Sequence, residues 1–314
     1  MMVATNLTGS GTPPRTFQEL ACSFFLFGGL QQLTVSLSAV NILLSITAFL
    51  GSLLILVALH KDSSLHPPSK LLYRCLATTD LLVGLICQPL YATYWMSLAY
   101  EKKSLCRYAK DAGFITSYAL CGVSLLTMTA ISVDRLLALL LRLRYTQIVT
   151  LKRTYIIVAM FWVLSGLAAS CFLLDYRITF LYGRIVIPSC LLISIVSYTK
   201  IFRTLSHHQA QVQDHIQQQP SHSNELNIAR YRKAVNGALW VQLALVVCYA
   251  PEIVVEIVMA YSEISSSHLV IKAIAVFLIF FNSTLNPFLY CWKIKEVRQA
   301  ATQTIKQTLC CPRS

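Results

Sequence analysis

The sequence predicts an all-α membrane protein, a seven-transmembrane helix bundle with a short amphipathic eighth helix and its N-terminus outside. Three observations carry that expectation. The 314 residues are 56% hydrophobic and only 12% charged, against about 25% charged in an ordinary soluble domain. Seven long runs are almost free of charge. The basic residues fall mainly in alternate joints between those runs.

A membrane-crossing helix needs about 20 mainly apolar residues. Leu20 to Leu59 holds no Asp, Glu, Lys, Arg or His, and Gln31 and Gln32 place the start of the first span near Val35. Cys75 to Tyr100 has Asp80 as its single charge. Ala112 to Val133 and Thr154 to Leu174 are uncharged. Ile178 to Thr199 is the weakest run, with Arg184 near its outer end and Pro188 inside it. Ala234 to Pro251 continues past Glu252 and Glu256 to about Ser262, and Ala273 to Trp292 is the seventh run. The joints are short and polar, apart from a longer Gln- and His-rich loop expected over Ser206 to Asn224. The chain thus divides into an extracellular segment 1–34, a membrane domain 35–292 and a cytoplasmic helix and tail 293–314.

Seven spans put the termini on opposite sides. Segments 60–74, 134–153, 200–233 and 293–314 carry 18 of the 26 Lys and Arg, with 5 acidic residues. The side richer in basic residues faces the cytoplasm. The net charge of +13 then reflects topology and attraction to anionic lipid headgroups, so no nucleic-acid partner is expected. Asn6-Leu7-Thr8 is a glycosylation acceptor on the outer side. Ile294, Val297, Ala301 and Ile305 recur at helical spacing among basic residues, which predicts a helix lying on the inner leaflet. Cys310 and Cys311 follow as palmitoylation candidates.

Polar groups inside a bilayer are costly, and each one marks a functional candidate. Asp80 lies mid-span; the last span reads Asn282-Ser283-Thr284-Leu285-Asn286-Pro287-Phe288-Leu289-Tyr290; the third ends in Asp134-Arg135-Leu136; the fourth holds Trp162; the sixth reads Cys248-Tyr249-Ala250-Pro251. In this order and spacing the chain resembles the rhodopsin-like (class A) G-protein-coupled receptors over roughly residues 35 to 305, nearly the whole sequence. The resemblance implies a plasma-membrane, multi-pass receptor without enzymatic activity. It would bind an extracellular ligand and activate a heterotrimeric G protein through opening of the cytoplasmic end of the bundle. Asp134, Arg135, Tyr198, Tyr249, Pro251, Asn286, Pro287 and Tyr290 match the switch positions. Asp80, Ser124, Asn282, Ser283 and Asn286 match positions that surround a sodium ion in the family. Its usual disulfide links the outer end of the third span to the second outer loop. Cys106 is near the first position, but the loop expected at about Asp175 to Arg184 has no Cys, which leaves Cys171, Cys190 and Cys22 as alternative partners. A short outer loop of this kind is similar to the melanocortin and lipid-sensing branches.

Physical chemistry gives these residues work to do. Asp134 can hold the Arg135 fork, whose later release would offer a permanent charge to a partner. Pro251 and Pro287 each remove a backbone hydrogen bond and create a pivot. The family's acidic partner at the inner end of the sixth span is replaced near Tyr231, among Arg230, Arg232 and Lys233. Elevated basal signalling is therefore expected.

For the ligand, Ser117 stands where amine receptors carry an Asp, and Phe280 where opsins carry a Lys. Glu252 and Glu256 share a helix face at i and i+4. They would either receive a basic ligand group, such as a peptide Arg or Lys, or pair with Lys272, Lys110 or Arg184. Asp111, Tyr118 and Cys121 are candidates for the same cavity from the third span. A transporter or channel is the alternative, but it asks for a longer polar stripe than Asp80, Glu252 and Glu256 provide. No GlyxSerxGly or zinc-protease motif supports an enzyme.

Overall fold

A computed structural model describes residues 22, 31–61, 66–141, 144–218, 243–259, 266–293, 298–299 and 302. Seven long helices pack side by side. α1 is Gln31–Lys61, α2 is Pro67–Ala99, α3 is Lys103–Leu141, α4 is Leu151–Ser170, α5 is Tyr176–Gln218, α6 spans 243–259 and α7 is Ser266–Lys293. Six of them are long and apolar enough over their described residues to cross a membrane. α3 is the central post and packs on α2, α4 and α5, while α1 packs on α2 and α7. Large apolar side chains such as Leu43, Leu50, Met160 and Leu192 project outward, which is the surface a bilayer requires.

Local chemistry shapes the helix ends and bends. Pro67 and Pro68 open α2, where the missing N–H groups have no intrahelical partner to lose. Further along, Val83–Cys87 forms a π turn immediately before Pro89. The extra residue keeps the proline ring off the preceding carbonyls. Ser45 of α1 donates to the Gly84 carbonyl there at 2.7 Å. Gly84 is needed for the approach: a Cβ would lie 2.9 Å from the Phe49 nitrogen. At the outer end of α2, Glu101 adopts φ 55°. Lys102 N–H reaches the Ser97 carbonyl at 2.9 Å, so a tight Schellman-type stop feeds α3. Cys106 at the start of α3 is disulfide-bonded to Cys22, one of the pairings the sequence left open.

Two expectations are corrected. The second outer loop does not run to Arg184: α5 already begins at Tyr176. Asp175 caps it, its Oδ1 accepting from Arg177 N–H at 2.9 Å. The loop expected from Ser206 is helical through Gln218. Its Gln and Ala residues are good helix formers, and Pro220 is the first breaker met.

Candidate functional site

The outer half of the bundle encloses a cavity of about 200 Å³. α3 presents Phe114, Ser117, Tyr118, Cys121 and Leu125 to it, a stripe at three- and four-residue spacing. An aromatic wall closes one side: Phe114 sits 4.4 Å from both Tyr118 and Phe172 and 5.4 Å from Phe180, between ring centroids. Gly183 allows this wall to close, since a Cβ there would lie 3.2 Å from the Tyr118 ring. On the other side Tyr91 meets Phe280 edge-on at 4.8 Å. Tyr249 lines the cavity and also belongs to the main apolar core, with Leu76, Leu125 and Met128.

Charge in this region is already paired. Lys272 of α7 donates to both Glu252 and Glu256 of α6, and Arg184 of α5 reaches Glu256 at 3.4 Å. Of the two readings of the carboxylates, the geometry gives the internal pairing. Glu252 and Lys272 line the cavity, whereas Glu256 sits beside it. Asp111 also lies outside the lining. Its side chain is 38% exposed and pairs with Lys110 at 3.4 Å, so its place at the edge of the stripe leaves it to its neighbour and solvent.

Below the cavity lies a polar layer. Asp80 is fully buried. It accepts from Asn286 Nδ2 at 2.8 Å and from Ser124 Oγ at 3.4 Å, and Ser283 faces the same carboxylate. Three helices, α2, α3 and α7, meet on one side chain. Asn282 donates to Met128 Sδ at 3.2 Å, while its Oδ1 has no hydrogen-bond partner among the described residues. A buried carboxylate beside the hydroxyls of Ser124 and Ser283 supplies oxygen donors of the kind a small hard cation takes. Pro287 follows Asn286 in α7, and a Cβ on Gly51 of α1 would lie 3.0 Å from its ring.

At the inner end Asp134 collects three donors: Ser69 Oγ at 2.9 Å, Arg135 Nη2 at 2.8 Å and Tyr145 OH at 2.7 Å. Arg135 also lies over the Tyr73 ring at 5.8 Å, and its Nε has no hydrogen-bond partner among the described residues. Tyr145 stands on a short helical turn between α3 and α4. Burial pushes its phenol above the usual range, and donation to Asp134 adds to the shift. It therefore remains a protonated donor at neutral pH. Tyr198 packs with Ile201, Leu136 and Leu139 on the other side of α3.

Sequence reasoning thus named both members of the Asp80–Asn286 and Asp134–Arg135 pairs. It missed Ser69, and it noted Tyr145, 11 residues past Asp134, without giving it a role. It also missed Asn41, a buried amide that lines the cavity. Pro251 lies within α6. Tyr290 falls on α7, but its side chain is outside the described set, as are Asn6, Tyr231, Cys310 and Cys311.

Comparison with known proteins agrees with this arrangement. The model of the 7 transmembrane receptor (rhodopsin family) matches residues 51–180 and 173–290. A human probable G-protein coupled receptor 45 is 24% identical over 321 residues, covering 88% of this chain and 83% of the relative. Melanocortin receptor 5 of Ovis aries and that of Bos taurus are each 26% identical over 283 residues, covering 85% of this chain and 82% of the relative. The chain belongs to the rhodopsin family of seven-transmembrane, G-protein-signalling receptors and is a multi-pass protein of the plasma membrane.

Proposed function

We propose that occupancy of the outer cavity by an extracellular ligand is transmitted to a heterotrimeric G protein by opening of the cytoplasmic end of the bundle. The observation that supports this reading best is the vertical order of the polar groups. Asp80 and Asn286 join α2 and α7 at 2.8 Å below the cavity, and Asp134 holds Arg135 at 2.8 Å at the inner end. Costly polar groups retained at two levels of an apolar bundle are the parts a transmembrane relay needs. In this reading Arg135 is released from Asp134 and offers its guanidinium to backbone carbonyls of the partner. Pro251 and Pro287 supply the pivots, with Tyr198, Tyr249 and Tyr290 repacking around them.

Asp80, Ser124, Asn282, Ser283 and Asn286 are the residues that would hold sodium, which would supply a counter-charge to Asp80. Glycosylation at Asn6 and palmitoylation at Cys310 and Cys311 fit the same topology, and the palmitoyl chains would hold the tail at the inner leaflet.

The test is guanine-nucleotide exchange on purified G protein with full-length receptor and with Arg135→Ala. Exchange above the empty-membrane level, lost in Arg135→Ala at equal surface expression, is the expected result. A receptor whose exchange is untouched by that substitution speaks against the reading. A transporter would instead show solute flux, which the apolar lining does not favour.

A further inference from the structure

Resting on the receptor reading, we propose that the outer cavity takes a small, uncharged, ring-bearing ligand whose hydrogen-bond donor is received by Glu252 Oε2.

The first argument is charge balance. Among the described residues, the charged side chains that line the cavity are Lys110, Glu252 and Lys272. Their described ion-pair partners, direct or through one further residue, are Asp111, Glu256 and Arg184. Three cations meet three anions. Lys272 bridges both carboxylates, and Arg184 completes Glu256. A charged ligand entering this low-dielectric space would find no unpaired counter-charge among the described residues and would have to break one of these pairs, and an uncompensated buried charge is strongly destabilising. Among the described residues a basic ligand group finds no carboxylate of this cavity without a cation already on it.

The second argument is an orphan acceptor. Glu252 is 5% exposed. Its Oε1 accepts from Lys272, but Oε2 has no hydrogen-bond partner among the described residues. A buried acceptor left unmade is costly, and this one belongs to a side chain of the cavity wall. It asks for a donor and not for a second charge. Asn41 Oδ1, on a side chain 2% exposed that lines the α1 end, is orphaned in the same way.

The third argument is size and surface. The volume of about 200 Å³ lies below the usual range of small-molecule sites, roughly 300–1,000 Å³. The wall around it is aromatic: Phe114, Tyr118, Phe180, Tyr91 and Phe280. Edge and face contacts from these rings suit a flat ring system.

The test uses three probes on one skeleton: 2-(indol-3-yl)ethanol, tryptamine and indole-3-acetate. Each is added at the same concentration to full-length receptor in nanodiscs, and Tm is read. The alcohol is expected to raise Tm by roughly 2 °C or more, with the amine and the carboxylate each giving less than half of that shift. Glu252→Gln should remove most of the alcohol's effect, because an amide that keeps its oxygen on Lys272 turns an N–H toward the cavity. A larger shift from tryptamine would overturn the proposal in favour of a basic ligand. A larger shift from indole-3-acetate would overturn it in favour of an anion drawn to Lys272. No shift from any probe, or a full alcohol shift in Glu252→Gln, also overturns it. Should that variant fail to fold, the ranking of the three probes on the unsubstituted receptor decides alone. Basal nucleotide exchange on the same nanodiscs, with and without Arg135→Ala, reports separately on the receptor reading.

Discussion

Tyr145→Phe is the sharpest perturbation of the inner lock. The substitution removes one oxygen and keeps the ring. The ring contact to His66, 5.1 Å between centroids, survives, so the change reports on the hydroxyl alone. That hydroxyl donates to Asp134 Oδ1 at 2.7 Å, and Tyr145 is 8% exposed. A hydrogen bond to a charged group contributes about 1.5–3 kcal/mol. The lower end applies here, because Asp134 keeps Ser69 and Arg135 and water can reach the membrane edge. With about 1.4 kcal/mol per factor of ten, the ratio of open to closed receptor should rise about tenfold.

The assay is agonist-free nucleotide exchange on purified G protein at matched receptor density. Where the open fraction starts small, the rate should rise by about the same factor; where it starts large, the gain is capped by saturation. Elevated basal activity is itself expected, and Arg135 has an unpartnered Nε among the described residues, so a moderate rise is the realistic reading. Ser69→Ala, which removes the donor 2.9 Å from Asp134 Oδ2, should act in the same direction. Unchanged or reduced basal exchange in both variants, at normal expression, would refute the idea that this network holds the closed state.

Three further outcomes follow from the packing. Lys272→Met leaves Glu252 and Glu256 without their shared cation, and removing one partner of a buried pair typically costs about 3–5 kcal/mol; thermal melting should show a large loss, with much of it recovered in Lys272→Met combined with Glu252→Gln. Gly84→Ala puts a Cβ 2.9 Å and 3.0 Å from backbone atoms of Phe49 and Ser45; neither can rotate away, so overpacking of about 1–3 kcal/mol should lower Tm, and a neutral result would deny the α1–α2 contact. Cys22→Ser opens a cross-link of sequence separation 84, which chain entropy values at about 4.6 kcal/mol; a melting curve that moves no further on reduction of the variant, while the parent does move, confirms the pair.

The sequence made the spans legible because lipid enforces composition: a helix in hydrocarbon has to be apolar for its whole length. The exceptions to that rule then became visible as sites. Asp80 and Asn286 stood out for this reason, and they meet at 2.8 Å. Outside the bilayer the constraint vanishes and so does the signal. Tyr145 is one polar aromatic in a polar loop, and only the fold brings it to Asp134. The inner extent of α5 was hidden for a related reason: Ser206 to Gln218 is helical but polar, and a hydropathy reading stops where apolar character stops. The Glu252–Glu256 pair was legible as a shared face, but which cation would meet it depended on the packing of α5 and α7.

The polar contacts also bear on which helix would move in the proposed opening. In α2, α3 and α7 the mid-membrane layer is tied together through Asp80, Ser124 and Asn286. Among the described residues, no side-chain hydrogen bond ties α6 to that layer. Among the described residues, the side-chain hydrogen bonds of α6 all lie at its outer end, from Lys272 and Arg184 to Glu252 and Glu256. Further in, Tyr249, Cys248 and Leu245 of α6 belong to the apolar core. Apolar contacts are non-directional and slide at little cost, whereas a buried ion pair tolerates little displacement. Pro251 stands directly beside the anchored end, next to Glu252. In the proposed opening, a rod pinned at the top and weakened one residue below the pin would swing at the bottom. Cutting the pin should therefore loosen the whole helix: Glu252→Gln with Glu256→Gln should raise amide hydrogen exchange along 243–259 while α3 keeps its protection, and equal protection of α6 in both proteins would show that packing, not charge, fixes the pivot.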